Sequence, residues 1–219
     1  MALHTDLHEM INAAPFTGKR RLVALVGAPA SGKSTLAEAL AKRDQHIQVI
    51  PMDGFHLDNN LLSDRRMLHC KGAPDTFDVA GFLHLVRRLR TEDDVIFPTF
   101  DRSRDLSIAG AGAIQPATET IIVEGNYLML DQPHWQELAR LWDLSISIDV
   151  ELQVLRRRLL QRWADHGLSQ VEAAKKTNDS DLPNAKLVHE NSLPCDVVIA
   201  GDQILMASPA APSAIIQNE

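Results

Sequence analysis

The residues best equipped for chemistry are Gly27, Ala28, Pro29, Ala30, Ser31, Gly32, Lys33, Ser34 and Thr35. Their spacing is G-x-x-x-x-G-K-[ST]. The apolar run Leu22-Val23-Ala24-Leu25-Val26 precedes them, and a helical pattern with Leu36 and Leu40 on one face follows. Gly27 and Gly32 permit backbone geometry that a side chain blocks. The loop N–H groups then turn inward on a phosphate chain, aided by the positive end of the following helix. Lys33 reaches the β- and γ-phosphates of a triphosphate such as ATP, and the Ser34 hydroxyl ligates Mg²⁺. The competing explanation is a chance match, and the order strand, glycine loop, helix argues against it.

Two carboxylates stand just past apolar runs. Asp53 follows Ile47-Gln48-Val49-Ile50-Pro51, and Glu124 follows Thr120-Ile121-Ile122-Val123. In open parallel sheets that edge is where ligands bind. An Asp-Gly turn explains Asp53-Gly54 without function; beside a phosphate loop, a catalytic or binding role is the better reading. Glu124 suits the Mg²⁺ ion or its water shell. Phe100, Asp101, Arg102 and Arg104 follow a third apolar run, Val95-Ile96-Phe97-Pro98, and here a polar hairpin turn and a binding loop are equally good readings. His56 and Lys71 lie in a long polar stretch from Phe55 to Pro74, a length that in a compact domain usually serves function. Arg158 and Arg162 share one side of a helix by their i, i+4 spacing. Arginines that close over phosphates stabilise charge on a transferred group.

These residues need elements to hold them. The apolar runs predict strands at 22–26, 47–50, 95–98, 120–123, 144–150 and 195–200, with helices between most of them. Gly110 to Gly112 reads as a glycine-rich loop. Leu152, Leu155, Leu159 and Trp163 mark one face of a helix that stops at Gly167. Ser169 and Glu172 have capping-box spacing, and residues 178–181 separate that helix from another near 185–190. Arg87, Arg88 and Arg90 read as a solvated helix face. His4 and His8 have metal-ligand spacing but no third ligand nearby, so a solvated face is the better reading.

The 219 residues are 45% hydrophobic, enough for one sizeable core. A formal charge of -7 speaks against general nucleic-acid or membrane affinity. Cys70 and Cys195 are far apart and read as reduced thiols. No signal peptide or spanning run is apparent, and the expectation is a soluble cytoplasmic protein.

Class by class, the alternatives thin out. A guanine-reading N-K-x-D segment is missing, as is a Leu-Ser-Gly-Gly-type transporter signature. Asp78-Val79-Ala80-Gly81 matches D-x-x-G but opens a helix. What remains fits a small-molecule kinase. The chain resembles the uridine kinase, phosphoribulokinase and type I pantothenate kinase group. The segments that carry this are 27–35, Met52-Asp53-Gly54-Phe55-His56, Lys71 to Asp78, Pro98-Thr99-Phe100-Asp101, Val123-Glu124-Gly125-Asn126 and Arg157-Arg158. Asn191-Ser192-Leu193-Pro194 is similar to a pantothenate-kinase segment. The combined pattern most resembles bacterial fructose-transport-system kinases.

The resemblance implies an α/β P-loop NTPase sandwich of three layers, with a parallel five-stranded core sheet, helices on both faces and a helical lid. One domain over 1–219 is expected, with Leu3, Leu7, Met10 and Ile11 marking an amphipathic N-terminal helix near 3–13, a lid near 152–180 and a tail near 208–219. The resemblance also implies roles. Lys33 and Arg158 act on the transferred group, Asp53 is the base for the acceptor hydroxyl, and Arg162 contacts the nucleotide. Ser34 and Glu124 serve Mg²⁺. Asp53, His56, Lys71, Phe100, Asp101, Arg102, Arg104 and Asn191 form the acceptor side. Uridine kinases have an aromatic and a histidine where this chain has Arg102-Ser103-Arg104, which argues against a nucleoside. The expected acceptor is a small polar metabolite, a sugar such as fructose. Pantothenate, glycerate and nucleosides are the alternatives, and an ATP-hydrolysing switch is the rival from another class. The sequence leaves room for a homodimer.

Overall fold

The computed structural model describes residues 2–206, so the tail expected at 208–219 lies outside the described residues. In chain order the elements begin with helix α1 (Ala2–Ala13), strand β1 (Arg21–Gly27), helix α2 (Lys33–Arg43) and strand β2 (Ile47–Pro51). Then come α3 (Asn59–Asp64), α4 (Val79–Thr91), β3 (Ile96–Asp101), β4 (Leu106–Ala113), β5 (Thr120–Gly125) and β6 (Leu144–Asp149). The chain continues through α5 (Leu152–Asp165), α6 (Gln170–Lys176), α7 (Leu182–Asn191), β7 (Val197–Ala200) and β8 (Gln203–Met206).

The main sheet has six strands in the order β2-β5-β1-β6-β7-β8. Five run parallel, as expected, and β8 adds an antiparallel edge. Side-chain alternation builds a core on each face. Leu22, Ala24 and Val26 of β1 join one cluster with Ile121 and Val123 of β5, under α4. Val23 and Leu25 point the other way and pack with Ile122 against α1 and α2. Leu7 and Ile11 of α1 are fully buried there. His8, on the same helix, is not a ligand: its Nε2 lies 2.9 Å from Asp44 Oδ2. Both sulfhydryls, Cys70 and Cys195, are free.

Several expected elements differ. The third apolar run is not part of the main sheet: β3 pairs with β4 in a separate antiparallel hairpin. Two features explain this. Pro98 lacks a ladder donor, and the register shifts between Phe97 and Thr99. The glycines expected to form a loop are strand residues. A Cβ at Gly112 would sit 2.3 Å from the Phe97 ring, so glycine there seats the ring on β4. Arg90 is no solvated residue either. Its Nη1 lies 3.0 Å from Asp143 Oδ1 and its Nη2 donates to Leu141 O at 2.6 Å, tying α4 to the start of β6. Residues 178–181, expected to separate two helices, lie in a π-helical turn, Thr177–Asp181, that joins α6 to α7. The capping box at Ser169 and Glu172 is present.

Candidate active site at the carboxyl edge of the sheet

Register brings the chemistry together. Glu124 pairs with Leu25 of β1 on one side and with Pro51 of β2 on the other. The phosphate loop, Asp53 and Glu124 therefore leave the sheet at the same edge, with β1 at the point where the strand order changes direction.

The loop has the shape its sequence predicts. A Cβ at Gly27 would lie 2.4 Å from Ser31 Oγ, so any side chain there collides with the loop. Gly32, with φ 103°, caps α2 in the left-handed region. No side chain caps the helix, which leaves its first amides for an anion. Ala30 also has positive φ, at 64°. Helix α5 holds the loop: Arg158 Nη1 donates to Ala30 O at 3.2 Å and Ser31 O at 3.1 Å. Ala28, Leu155 and Ala185 pack together beneath that contact.

Lys33 Nζ lies 4.0 Å from Glu124 Oε2. Glu124 is only 5% exposed. Burial raises its carboxyl above the usual range; Lys33 and a hydrogen bond from Ser34 oppose that rise. Ser34 and Glu124 offer two hard oxygen donors side by side, and the described residues contain no cluster of three or more His, Cys, Asp or Glu that could form a cage. That donor set fits Mg²⁺, which keeps waters and phosphate oxygens as its other ligands.

Asp53 sits in the 3-10 turn Met52–Phe55 that ends β2. Burial pushes its carboxyl up, but the charges of Arg102, His56 and Lys33 outweigh it and the group lies below the ordinary value. The Arg102 guanidinium meets Asp53 Oδ2 at 2.5 Å. The hairpin that carries Arg102 is pressed onto this turn. A Cβ at Gly54 would lie 2.3 Å from Pro98 O, and Ser107 Oγ donates to His56 O at 3.0 Å. His56 Nδ1 lies 2.8 Å from Asp53 O. Its ring lies tilted against Phe77, 4.1 Å between centroids, and Phe100, 4.7 Å. Burial holds its pKa below the usual histidine value.

A cavity of about 740 Å³ opens in front of these groups. Asp53, His56, Lys71, Phe100, Arg102 and Arg162 all line it. Pro29 of the phosphate loop also lines it, so loop and cavity are continuous. A smaller hollow near Arg87, Asp131 and Arg140 contains none of these residues.

Three expected acceptor residues are elsewhere. Asp101 caps the β3–β4 turn, accepting from Ser103 N, Ser103 Oγ and Arg104 N at 3.0, 2.6 and 3.1 Å. Arg104 is exposed in that turn and off the cavity wall. Asn191 ends α7, where its Nδ2 donates to Leu187 O and its carbonyl accepts from Asp131 N. Lys71 does line the cavity, but its ammonium is a strut: it meets Asn59 Oδ1 at 2.7 Å, Asp105 O at 2.8 Å and Asp105 Oδ1 at 3.0 Å.

The wall also includes residues that sequence reasoning passed over: Phe77, Asn126, Trp163, Lys176, Asp181 and Asn184. Asn126 carried a usable signal, since it follows Glu124-Gly125 at the same strand end. Trp163 was expected in the helix's inward face. Instead it forms part of the cavity wall, with Nε1 donating to Asp181 Oδ2 at 2.7 Å and the Lys176 ammonium 4.1 Å from its ring.

A phosphate loop, a strand-end glutamate beside its lysine, and an ionised aspartate facing a cavity together define a P-loop kinase. Comparison with known proteins agrees. A family model described as AAA domain matches residues 23–178. The chain belongs to that family, and it is a P-loop kinase that acts on a small polar metabolite. It is 45% identical to a Silicibacter sp. TM1040 protein whose name proposes a fructose transport system kinase. That structure superposes with a TM-score of 0.83, over 90% of this chain and 98% of the other. The chain is 37% identical to protein YggC of Escherichia coli over 90% of its own length and 85% of the relative's. A Schizosaccharomyces pombe protein whose name proposes a uridine kinase is 33% identical, over 83% of each chain. Among the described residues no helix is long and apolar enough to cross a membrane.

Proposed function

We propose that this kinase moves the γ-phosphoryl group of ATP to a hydroxyl of a sugar such as fructose, with Asp53 as the base. The observation that carries the reading is Asp53 itself. It is a carboxylate held below its ordinary pKa chiefly by the Arg102 charge, on the wall of a cavity continuous with the phosphate loop. A base in that state accepts the hydroxyl proton as the oxygen attacks phosphorus, an effect worth ~10²–10⁴ in rate. Lys33 and the open amides of α2 neutralise charge on the phosphates. Arg158 fixes the loop, and Arg162, one turn further along α5, faces the cavity. Mg²⁺, held through Ser34 and Glu124, offsets charge on the phosphate oxygens when bound. His56 and Phe100 give the acceptor an aromatic shelf. Residues 2–206 act in this reading as one catalytic unit with 152–180 as its lid. It calls for no nucleic-acid or membrane partner and suits the cytoplasm, where ATP is abundant; a homodimer is compatible with it.

The test is ADP release with a panel of sugars, pantothenate, glycerate and nucleosides. A kinase of this reading gives release stimulated by a sugar, together with a phosphorylated sugar. Hydrolysis at the same rate with and without every acceptor indicates a nucleotide switch and overturns it.

A further inference from the structure

Asn126 and Asn184 approach the cavity from opposite sides. Asn126 follows the carboxyl end of β5; Asn184 belongs to α7. Both line the same cavity as Asp53. Asn184 is only 8% exposed and turns part of its surface to this cavity. The Asn126 Oδ1 is buried and without a hydrogen-bond partner among the described residues. Buried amides are almost always satisfied, because an unmet donor or acceptor has lost its water for nothing. The Asn126 carboxamide is therefore a group awaiting a ligand, and Asn184 lines the same cavity with its own carboxamide.

Their setting is fixed. The Tyr127 hydroxyl, next to Asn126, donates to Gly72 O at 2.6 Å. Gly72 has φ 102°, and a Cβ on it would lie 3.8 Å from Asn184 Nδ2. One backbone junction thus relates both asparagines to each other. Their chemistry is also specific. A carboxamide offers an acceptor oxygen and two donor hydrogens, the complement of neighbouring hydroxyls, each of which donates and accepts. A carboxylate could satisfy the NH₂ groups but would bring an anion to the Oδ1 atoms. Two cations of the wall are already matched, Arg102 to Asp53 and Lys71 to Asp105. The neighbouring rings of His56 and Phe100 on the cavity wall suit the C–H face of a sugar.

We infer that Asn126 and Asn184 read the acceptor's hydroxyls and set the site's preference for a neutral polyol over an acid. This rests on the kinase reading above. The experiment measures KM and kcat for the stimulating hexose, its monodeoxy analogues and glycerate. It uses the wild-type enzyme, Asn126→Ala, Asn184→Ala and the shape-preserving Asn126→Asp and Asn184→Asp, each checked by thermal melting. The Ala variants are expected to raise the hexose KM about tenfold or more, with the KM for ATP close to wild type. One deoxy analogue should suffer in the wild type and show little further loss in the matching variant, as contacting groups do. The Asp variants, which swap a donor for an acceptor, should lose hexose affinity too, and they stand in if an Ala variant melts early. The inference is overturned if a well-folded variant leaves the hexose KM unchanged, if hexose and ATP shift together, or if deoxy losses stay additive. A wild-type enzyme that no hexose stimulates instead sinks the parent reading and this inference with it.

Discussion

Gly54→Ala tests how the proposed base is held. A Cβ at Gly54 would lie 2.3 Å from Pro98 O, 2.8 Å from Pro98 C and 3.3 Å from Thr99 Cα. All three are backbone atoms of β3, so no side chain can swing aside. Gly54 does not occupy the left-handed region, so the effect of alanine is steric and not conformational. Ordinary contact begins near 3.4 Å. The turn and the hairpin must therefore separate by about 1 Å, within the range where misplacement costs about 10²-fold in rate. The turn carries Asp53 and His56, and the hairpin carries Phe100 and Arg102, so their separation opens the Asp53–Arg102 pair and the His56–Phe100 contact together. Overpacking of this kind also costs about 1–3 kcal/mol, and each kcal/mol lowers Tm by roughly 2–4 °C at this chain length. The assay is acceptor-stimulated ADP release alongside thermal melting. The expected result is a fall of about 10² in kcat, a lower Tm, and a KM for ATP near wild type, because the phosphate loop hangs from a different strand. Wild-type turnover and Tm in Gly54→Ala would refute the claim that hairpin contact positions the base.

Asp53→Asn should keep ATP binding, read by nucleotide titration, and lose about 10²–10⁴ in acceptor-dependent turnover; near-normal turnover rules Asp53 out as the base. Arg102→Ala removes one of the three charges that lower the Asp53 carboxyl, while burial, which raises it, stays. The folded-state pKa rises, so proton acceptance fails at a higher pH. The acid limb of kcat/KM should move upward relative to wild type, and a limb that does not move contradicts this electrostatic account. Arg158→Ala removes both α5 hydrogen bonds to the phosphate loop. Transfer should slow by about 10²–10³-fold, and an effect confined to protein yield would mark Arg158 as merely structural.

The legible parts of this protein are those whose physics is local. The phosphate loop is a contiguous motif, and its function follows from glycine geometry and helix amides a few residues apart. Asp53 and Glu124 were visible because each directly follows an apolar strand, and five parallel strands end on one side of the sheet. The capping box at Ser169 and the amphipathic α1 are local in the same sense.

The third apolar run shows where local pattern ends. Val95 to Pro98 has strand composition, but only packing decides which sheet a strand joins. Pro98 and the glycines of β4 place it in a hairpin against the Asp53 turn. The acceptor side shows the same limit. Asp101, Arg104 and Asn191 resemble binding residues by type, yet short-range turn and helix hydrogen bonds employ them elsewhere. Arg102 is 49 positions from Asp53, and Asn184 is 58 from Asn126. No periodicity links residues at such separations. By itself the sequence determined the phosphate-loop motif at Gly27 to Thr35, and which strands end beside it. Only the tertiary structure decided which side chains line the cavity, because the hairpin and the helices α5 to α7 reach it through long-range packing.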